Sequence, residues 1–97
     1  IDIKNTSICD ALMVDTPGEL TFPINQQQIN EIFTVDDDDV IEAMTFAYHE
    51  LGIILEPSGA VGLALILKGR FAPGGKTIVV VFSGGNIDAS RHQKLIK

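Results

Sequence analysis

Apolar side chains recur at steps of three and four through the middle of the chain: Val40, Met44, Ala47 and Leu51, with Ile41 and Tyr48 widening the stripe. That spacing predicts an amphipathic helix over 37–51 with one buried face. The run Asp36-Asp37-Asp38-Asp39 leads into it. Carboxylates there meet the positive end of the helix dipole, and one can cap free N–H groups. The four do not alternate, and no Gly follows at the turn position, so they do not read as a calcium loop. Gly52 closes the helix where a left-handed residue is wanted. Residues 32–35, β-branched and aromatic, read as a short strand. Residues 24–31 read as a short helix. Thr16-Pro17-Gly18 reads as a turn in which Pro pre-sets one dihedral and Gly accepts a positive φ.

The second half has a different texture. Residues 53–55 form a short apolar extended run that ends at Glu56-Pro57, and Pro57 suits the first position of a helix. Residues 58–67 carry no charge, and a helix apolar all round must be covered on every side. Gly59, Ala60, Gly62 and Ala64 are small enough for other backbone to come close. Lys68 and Gly69 supply the stop. After a loop at 72–75, residues 77–82 show no polar alternation, which predicts a strand buried on both faces as in a parallel sheet. Residues 88–96 form a closing helix. Helices alternating with strands imply an α/β fold: a mostly parallel open sheet with flanking helices. No repeat and no linker divides the chain, so residues 1–97 make one domain.

Composition narrows the function. Seven Lys+Arg against 13 Asp+Glu give a net charge of -6. A nucleic-acid binder needs clustered cations, so this balance argues against one. The apolar runs at 61–67 and 77–82 fall far short of the roughly 20 residues that span a bilayer. Cys9 is the only cysteine and cannot form an internal disulfide; it reads as a small buried residue in a reducing, cytoplasmic protein. No basic start or apolar run marks a signal peptide. The chain does not begin with Met, so a fragment is expected. His49 and His92 have no spacing that suggests a ligand pair, and both read as surface residues.

Ser83-Gly84-Gly85-Asn86 follows the last predicted strand, where open α/β sheets bind ligands. Two glycines let backbone approach a ligand closely, and Ser83 places a hydroxyl at the strand tip. A plain turn and an anion cradle of N–H groups are also open readings. Neither nucleotide-binding glycine motif is present.

Glu56-Pro57-Ser58-Gly59-Ala60, an apolar helix, a hydrophobic strand and Ser83-Gly84-Gly85-Asn86 occur in that order. Together they resemble the C-terminal end of the fold-type-II, pyridoxal-phosphate-dependent serine/threonine dehydratases, which include serine racemases. Ser7-Ile8-Cys9-Asp10-Ala11-Leu12, Pro17-Gly18-Glu19-Leu20-Thr21-Phe22-Pro23 and Phe33-Thr34-Val35 look like the same family. The similarity runs from about residue 6 to residue 96.

The resemblance implies a cofactor site for pyridoxal phosphate. Ser83 matches the serine that hydrogen-bonds the pyridine nitrogen, and a neutral hydroxyl there leaves the ring a milder electron sink. Gly84, Gly85 and Asn86 match the loop around the ring edge. Gly18 matches a glycine whose backbone lies against the cofactor, and Glu56 a glutamate near the ring. From the residues alone, Glu56 also reads as a helix-start carboxylate and Gly18 as a turn glycine.

The family's Schiff-base lysine, glycine-rich phosphate loop and divalent-cation ligands have no counterpart here. No catalytic residue and no metal ligand is therefore expected in this chain. The resemblance makes it a single incomplete domain, the C-terminal part of the large cofactor-binding domain, with no appended regulatory domain. Its expected partners are the remainder of the same enzyme, further copies in a homo-oligomer and a small amino-acid substrate; no nucleic acid or membrane is expected. The complete enzyme would convert a β-hydroxy amino acid to a 2-oxo acid and ammonia. The alternative is a non-catalytic α/β module that binds a small ligand or associates with other chains.

Overall fold

The computed structural model describes residues 7–13, 16–71 and 74–97. The α-helices among them are α1 (Thr21–Gln28), α2 (Asp37–Leu51), α3 (Val61–Leu67) and α4 (Ala89–Leu95), with 3-10 turns at Asp10–Leu12 and Pro57–Ala60. Helix α2 has the bounds that its spacing predicts. A reciprocal capping box joins Asp36 and Asp39, in which the Asp36 N–H donates to Asp39 Oδ2 at 3.2 Å. At the other end Gly52 adopts φ 67°, the left-handed conformation that lets the helix stop.

Packing begins on α2. Val40, Ala43, Met44 and Ala47 are buried, and they meet Leu55, Ala60, Leu63, Ala64 and Cys9 to form the core. The buried stripe is rotated from the expected one: Ala43 joins it, while Leu51 and Tyr48 lie exposed. The rotation follows from where the covering elements sit, on the side of α3 and the Pro57–Ala60 turn. The uncharged stretch at 58–67 divides into that tight turn and α3. Helix α2 covers one side of it and Val80 lies against Gly62 on another, and only Leu67 at its end is exposed. Helix α1 begins and ends about three residues earlier than expected and buries none of its side chains.

Polar contacts tie the ends of the chain to α2. The Asp37 carboxylate accepts from Ser7 Oγ at 2.6 Å and from the Ile8 N–H at 3.2 Å. Arg91 on α4 donates to the Ile8 carbonyl at 3.3 Å and lies 3.7 Å from Asp10. The Lys97 N–H donates to Thr45 Oγ1 at 3.1 Å, and the His49 ring pairs with the Lys97 carbonyl at 3.1 Å. His49 is exposed, as expected, but His92 is not: only 2% of it is accessible. It stacks edge-on against Tyr48, ring centroids 5.1 Å apart. The docking of α4 on α2 turns His92 inward, which its place near the end of the chain concealed.

The predicted strands at 32–35, 53–55 and 77–82 form no ladder among the described residues. Residues 77–82 make no backbone hydrogen bond to another described segment. Of the two faces expected to be covered, one stands open in this chain: Val79 is 84% and Val81 72% exposed. Val80 and Phe82, by contrast, are half-buried, with Val80 against Gly62 and Phe82 against the core. Burial that alternates residue by residue is strand geometry with one face covered. A strand needs neighbours on either side to complete its hydrogen bonds, and the described residues supply none there. The outline is correspondingly flat, 38 × 38 × 18 Å, with a radius of gyration of 14.6 Å against about 13 Å for a compact domain of similar length.

Lys68 bridges Asp39 at 3.1 Å and Glu42 at 3.0 Å, joining the end of α3 to the start of α2. The hydrogen bond from Asp36, its backbone N–H and the Lys68 ammonium hold Asp39 below the usual carboxylate range. The same carboxylate pair raises Asp36. Stability from the Asp39 contacts is thus present above the ordinary Asp value of about 4 and lost as the pH falls through the lower folded value. Asp36 acts in the opposite sense. Asp39→Asn is expected to lower the denaturation midpoint at neutral pH and to converge with the parent protein on acidification. Met44→Ala, which empties the centre of the core, is expected to cost about 2–5 kcal/mol in denaturant unfolding.

Candidate functional site

The Ser83–Asn86 motif is placed by a second segment, residues 54–59. Pro57 opens the 3-10 turn, whose four residues are all buried, and the Gly59 N–H donates to the Glu56 carbonyl at 3.0 Å. The incoming loop is tied to this turn by the Glu56 N–H, which donates to the Gly84 carbonyl at 3.1 Å. Glycines make the approach possible. A Cβ at Gly59 would lie 2.7 Å from the Gly84 carbonyl oxygen and 2.9 Å from its nitrogen. One at Gly85 would lie 2.8 Å from the Ile54 carbonyl oxygen, and one at Gly84 would overlap Glu56 Oε1. Backbone meets backbone here with no space for a side chain.

Of the six residues singled out from the sequence, the structure brings Glu56, Gly84 and Gly85 into contact. Glu56 is half-buried with its carboxylate against Gly84. Ser83 and Asn86 flank the glycine pair on the same loop, and both are exposed. Gly18 is not brought to them. Its α-carbon faces Thr21, its carbonyl accepts from the Phe22 N–H at 3.1 Å, and it is exposed. It does not take the positive φ expected of a turn glycine, since the positive-φ residues among those described are Gly52, Gly69, Gly74 and Gly75.

Two residues gain importance only in the structure. Gly59 is the surface on which Gly84 rests; its small size was legible in the sequence, its partner was not. Ser58 is 7% exposed, and its hydroxyl has no hydrogen-bond partner. Its signal was present, since it is the one polar side chain in the apolar stretch 58–67. Cys9 is buried beside Ser7, and that burial, with the Asp37 and Asp10 charges, pushes its thiol up. A thiol held protonated is a poor nucleophile. Among the described residues, no group of three or more His, Cys, Asp or Glu could hold a metal ion. A cavity of about 450 Å³ opens beside Cys9, Leu12, Phe33 and Val61, and none of the six candidate residues lines it.

What this arrangement can do is offer a hydroxyl, a carboxylate and a tight backbone loop to one edge of a planar ligand. Comparison with known proteins finds relatives over nearly the whole chain. The chain is 33% identical over 93 residues to an L-threo-3-hydroxyaspartate ammonia-lyase from Pseudomonas sp, covering 94% of this chain and 28% of that protein. It is 31% identical over 90 residues to an L-threonine ammonia-lyase from Thermotoga maritima, covering 93% of this chain and 22% of that protein. Its backbone is similar to the crystal structure of serine racemase from Dictyostelium discoideum, with a TM-score of 0.78 and 37% identity over 90% of this chain and 29% of that one. The chain thus spans less than a third of the length of these relatives. No described helix is long and apolar enough to cross a membrane. Residues 2–84, a stretch that takes in Glu56, Ser83 and Gly84, match the family described as pyridoxal-phosphate dependent enzyme, and the chain belongs to that family.

Proposed function

We propose that this chain is the C-terminal part of the cofactor-binding domain of a cytoplasmic serine/threonine dehydratase, where it forms the pyridine-nitrogen side of the pyridoxal phosphate site. The observation that carries this reading is the closure of the Ser83–Asn86 loop onto Glu56 and Gly59, which leaves a hydroxyl and a carboxylate on either side of a glycine pair. The close packing of Gly84 on Glu56 and of Gly85 on the Ile54 carbonyl sets Ser83 and Glu56 on one short loop-and-turn edge, which suits the edge of a flat ring. The donor set suits it as well: Ser83 can hydrogen-bond a ring nitrogen without forcing a proton onto it.

When bound, the cofactor would supply an electron sink for the electron pair left on the substrate's α-carbon when its proton is removed. The chain's own residues bind and orient. Ser83 holds the ring nitrogen, Glu56 sets the charge beside the ring, and Gly84, Gly85 and Asn86 shape the edge. Gly18 would lie against the cofactor through its backbone. The lysine that abstracts the α-proton comes from the remainder of the enzyme, as do the groups that hold the phosphate. The overall change is elimination of the α-proton and the β-hydroxyl of serine, threonine or 3-hydroxyaspartate as water, after which a water molecule hydrolyses the resulting imine to a 2-oxo acid and ammonia.

The bare outer face of residues 77–82, with Val79 and Val81 exposed, supports the parallel sheet expected from the sequence. Neighbouring strands from the remainder of the enzyme would cover it. An exposed apolar face of this kind also supports assembly into a homo-oligomer. Racemisation is the second reading, favoured by the 37% identity to serine racemases from Arabidopsis thaliana and Dictyostelium discoideum.

The test is reconstitution of the complete enzyme with pyridoxal phosphate and assay of ammonia and 2-oxo acid from the three amino acids. Release of both establishes the dehydratase; recovery of D-serine from L-serine establishes the racemase. A complete protein that neither takes up pyridoxal phosphate nor releases ammonia overturns the proposal. In the active enzyme, Ser83→Ala is expected to reduce kcat by about 10-fold or more, on the scale of one lost hydrogen bond to a charged or reacting group, and to shift the absorbance of bound cofactor. Gly84→Ala is expected to weaken cofactor binding, because its Cβ displaces the Glu56 carboxylate.

A further inference from the structure

The buried hydroxyl of Ser58 has no role in the site as described so far, and its position is unusual. It sits in the Pro57–Ala60 turn, two residues after Glu56 and one before Gly59. It is 7% exposed, so water does not reach it, and Ser58 Oγ has no hydrogen-bond partner. A buried hydroxyl in this state keeps its full desolvation cost and returns nothing. Alanine would fill the same space in an otherwise apolar stretch without that cost.

Backbone acceptors in the turn and the facing loop already have partners or close contacts. The Glu56 carbonyl is already engaged by the Gly59 N–H, and the Gly84 carbonyl by the Glu56 N–H. The Ile54 carbonyl oxygen is pressed against Gly85. The Glu56 carboxylate is a further acceptor. It lies in the same turn, makes no side-chain cap to the turn's N–H groups and rests against Gly84. Rotation of a glutamate side chain is enough to bring a carboxylate oxygen to a hydroxyl two residues on.

We propose that Ser58 is a positioning residue for Glu56: its hydroxyl donates to the Glu56 carboxylate when pyridoxal phosphate occupies the site, and so fixes the charge beside the ring. This deepens the cofactor-site reading given above and rests on it. The hydrogen bond would form only in the loaded site, which is why the hydroxyl stands unpartnered in the chain alone. Ser58 touches neither cofactor nor substrate; it acts through Glu56.

The experiment uses the complete enzyme, prepared without cofactor and titrated with pyridoxal phosphate, with Ser58→Ala, Ser58→Thr, Glu56→Gln and Ser83→Ala beside the parent. Expected is a cofactor-free Ser58→Ala protein that melts no lower than the parent, because it loses an unsatisfied polar group. Its dissociation constant for pyridoxal phosphate should rise by about 10-fold. The pH profile of its bound-cofactor absorbance should move toward that of Glu56→Gln, and Ser58→Thr should restore both. Parent-like affinity and parent-like spectra in Ser58→Ala, with Glu56→Gln altered, would overturn the role of Ser58 alone. A Ser58→Ala protein that melts lower without cofactor would also overturn it, since the hydroxyl would then have a structural partner. If Glu56→Gln and Ser83→Ala both leave affinity and spectra unchanged, the cofactor-site reading itself fails.

Discussion

The contact between residues 54–59 and the Gly84-Gly85 pair organises the half of the molecule that carries the candidate site. Two stretches of backbone approach so closely that a methyl group at Gly59, Gly84 or Gly85 would strike a main-chain atom or the Glu56 carboxylate. At Gly59 and Gly85 the facing atoms are backbone and cannot yield, which restricts how the two stretches meet. Once Glu56 and Gly84 are joined by their hydrogen bond, Phe82 is directed onto the core, Val80 onto Gly62, and the chain leaves the loop in position to form α4. The carboxylate and the hydroxyls at 58 and 83 are placed as a consequence. The chemistry of the site therefore depends on residues with no side chain at all.

Helix α2 provides the foundation for that contact. Its small and medium side chains, Val40, Ala43, Met44 and Ala47, allow α3 and the Pro57–Ala60 turn to lie close against it. Its acidic start performs two separate tasks. Asp36 and Asp39 cap the helix, while Asp37 turns away from the cap and holds the segment that begins at Ser7. A run of four like charges would ordinarily repel itself. Here the repulsion is relieved by Lys68 on one side and by the Ser7 hydroxyl and Ile8 N–H on the other. Exposed ion pairs are individually weak, so the core and the backbone contact set the arrangement and the charges adjust to it.

The outer face of 77–82 explains the flat outline. Hydrophobic burial stabilises a segment only where apolar surface has somewhere to go, and Val79 and Val81 are left largely exposed by the described residues. The same holds for the apolar positions of α1, all of which are exposed. The chain covers less than a third of its relatives' length. The loop at 83–86 is formed even so, because its contact is with the turn beside it.

Much of this was legible in the residues themselves. The period of α2, its acidic start and its left-handed Gly52 are local facts, fixed by side-chain spacing and backbone sterics, and the structure reproduces them at the expected positions. The order of Glu56-Pro57-Ser58-Gly59 and Ser83-Gly84-Gly85-Asn86 was enough to identify a family and a candidate site. The partners of those residues were not legible. That Gly59 faces Gly84, that His92 turns under Tyr48, and that Ala43 rather than Leu51 completes the buried stripe all depend on elements distant in the chain. Nor could 77–82 announce that one of its faces would stand bare, because uniform hydrophobicity reports only that cover is wanted. Local conformation is a property of neighbouring residues and can be read from them. Burial and contact belong to the assembled chain, because they depend on which surfaces the other elements bring.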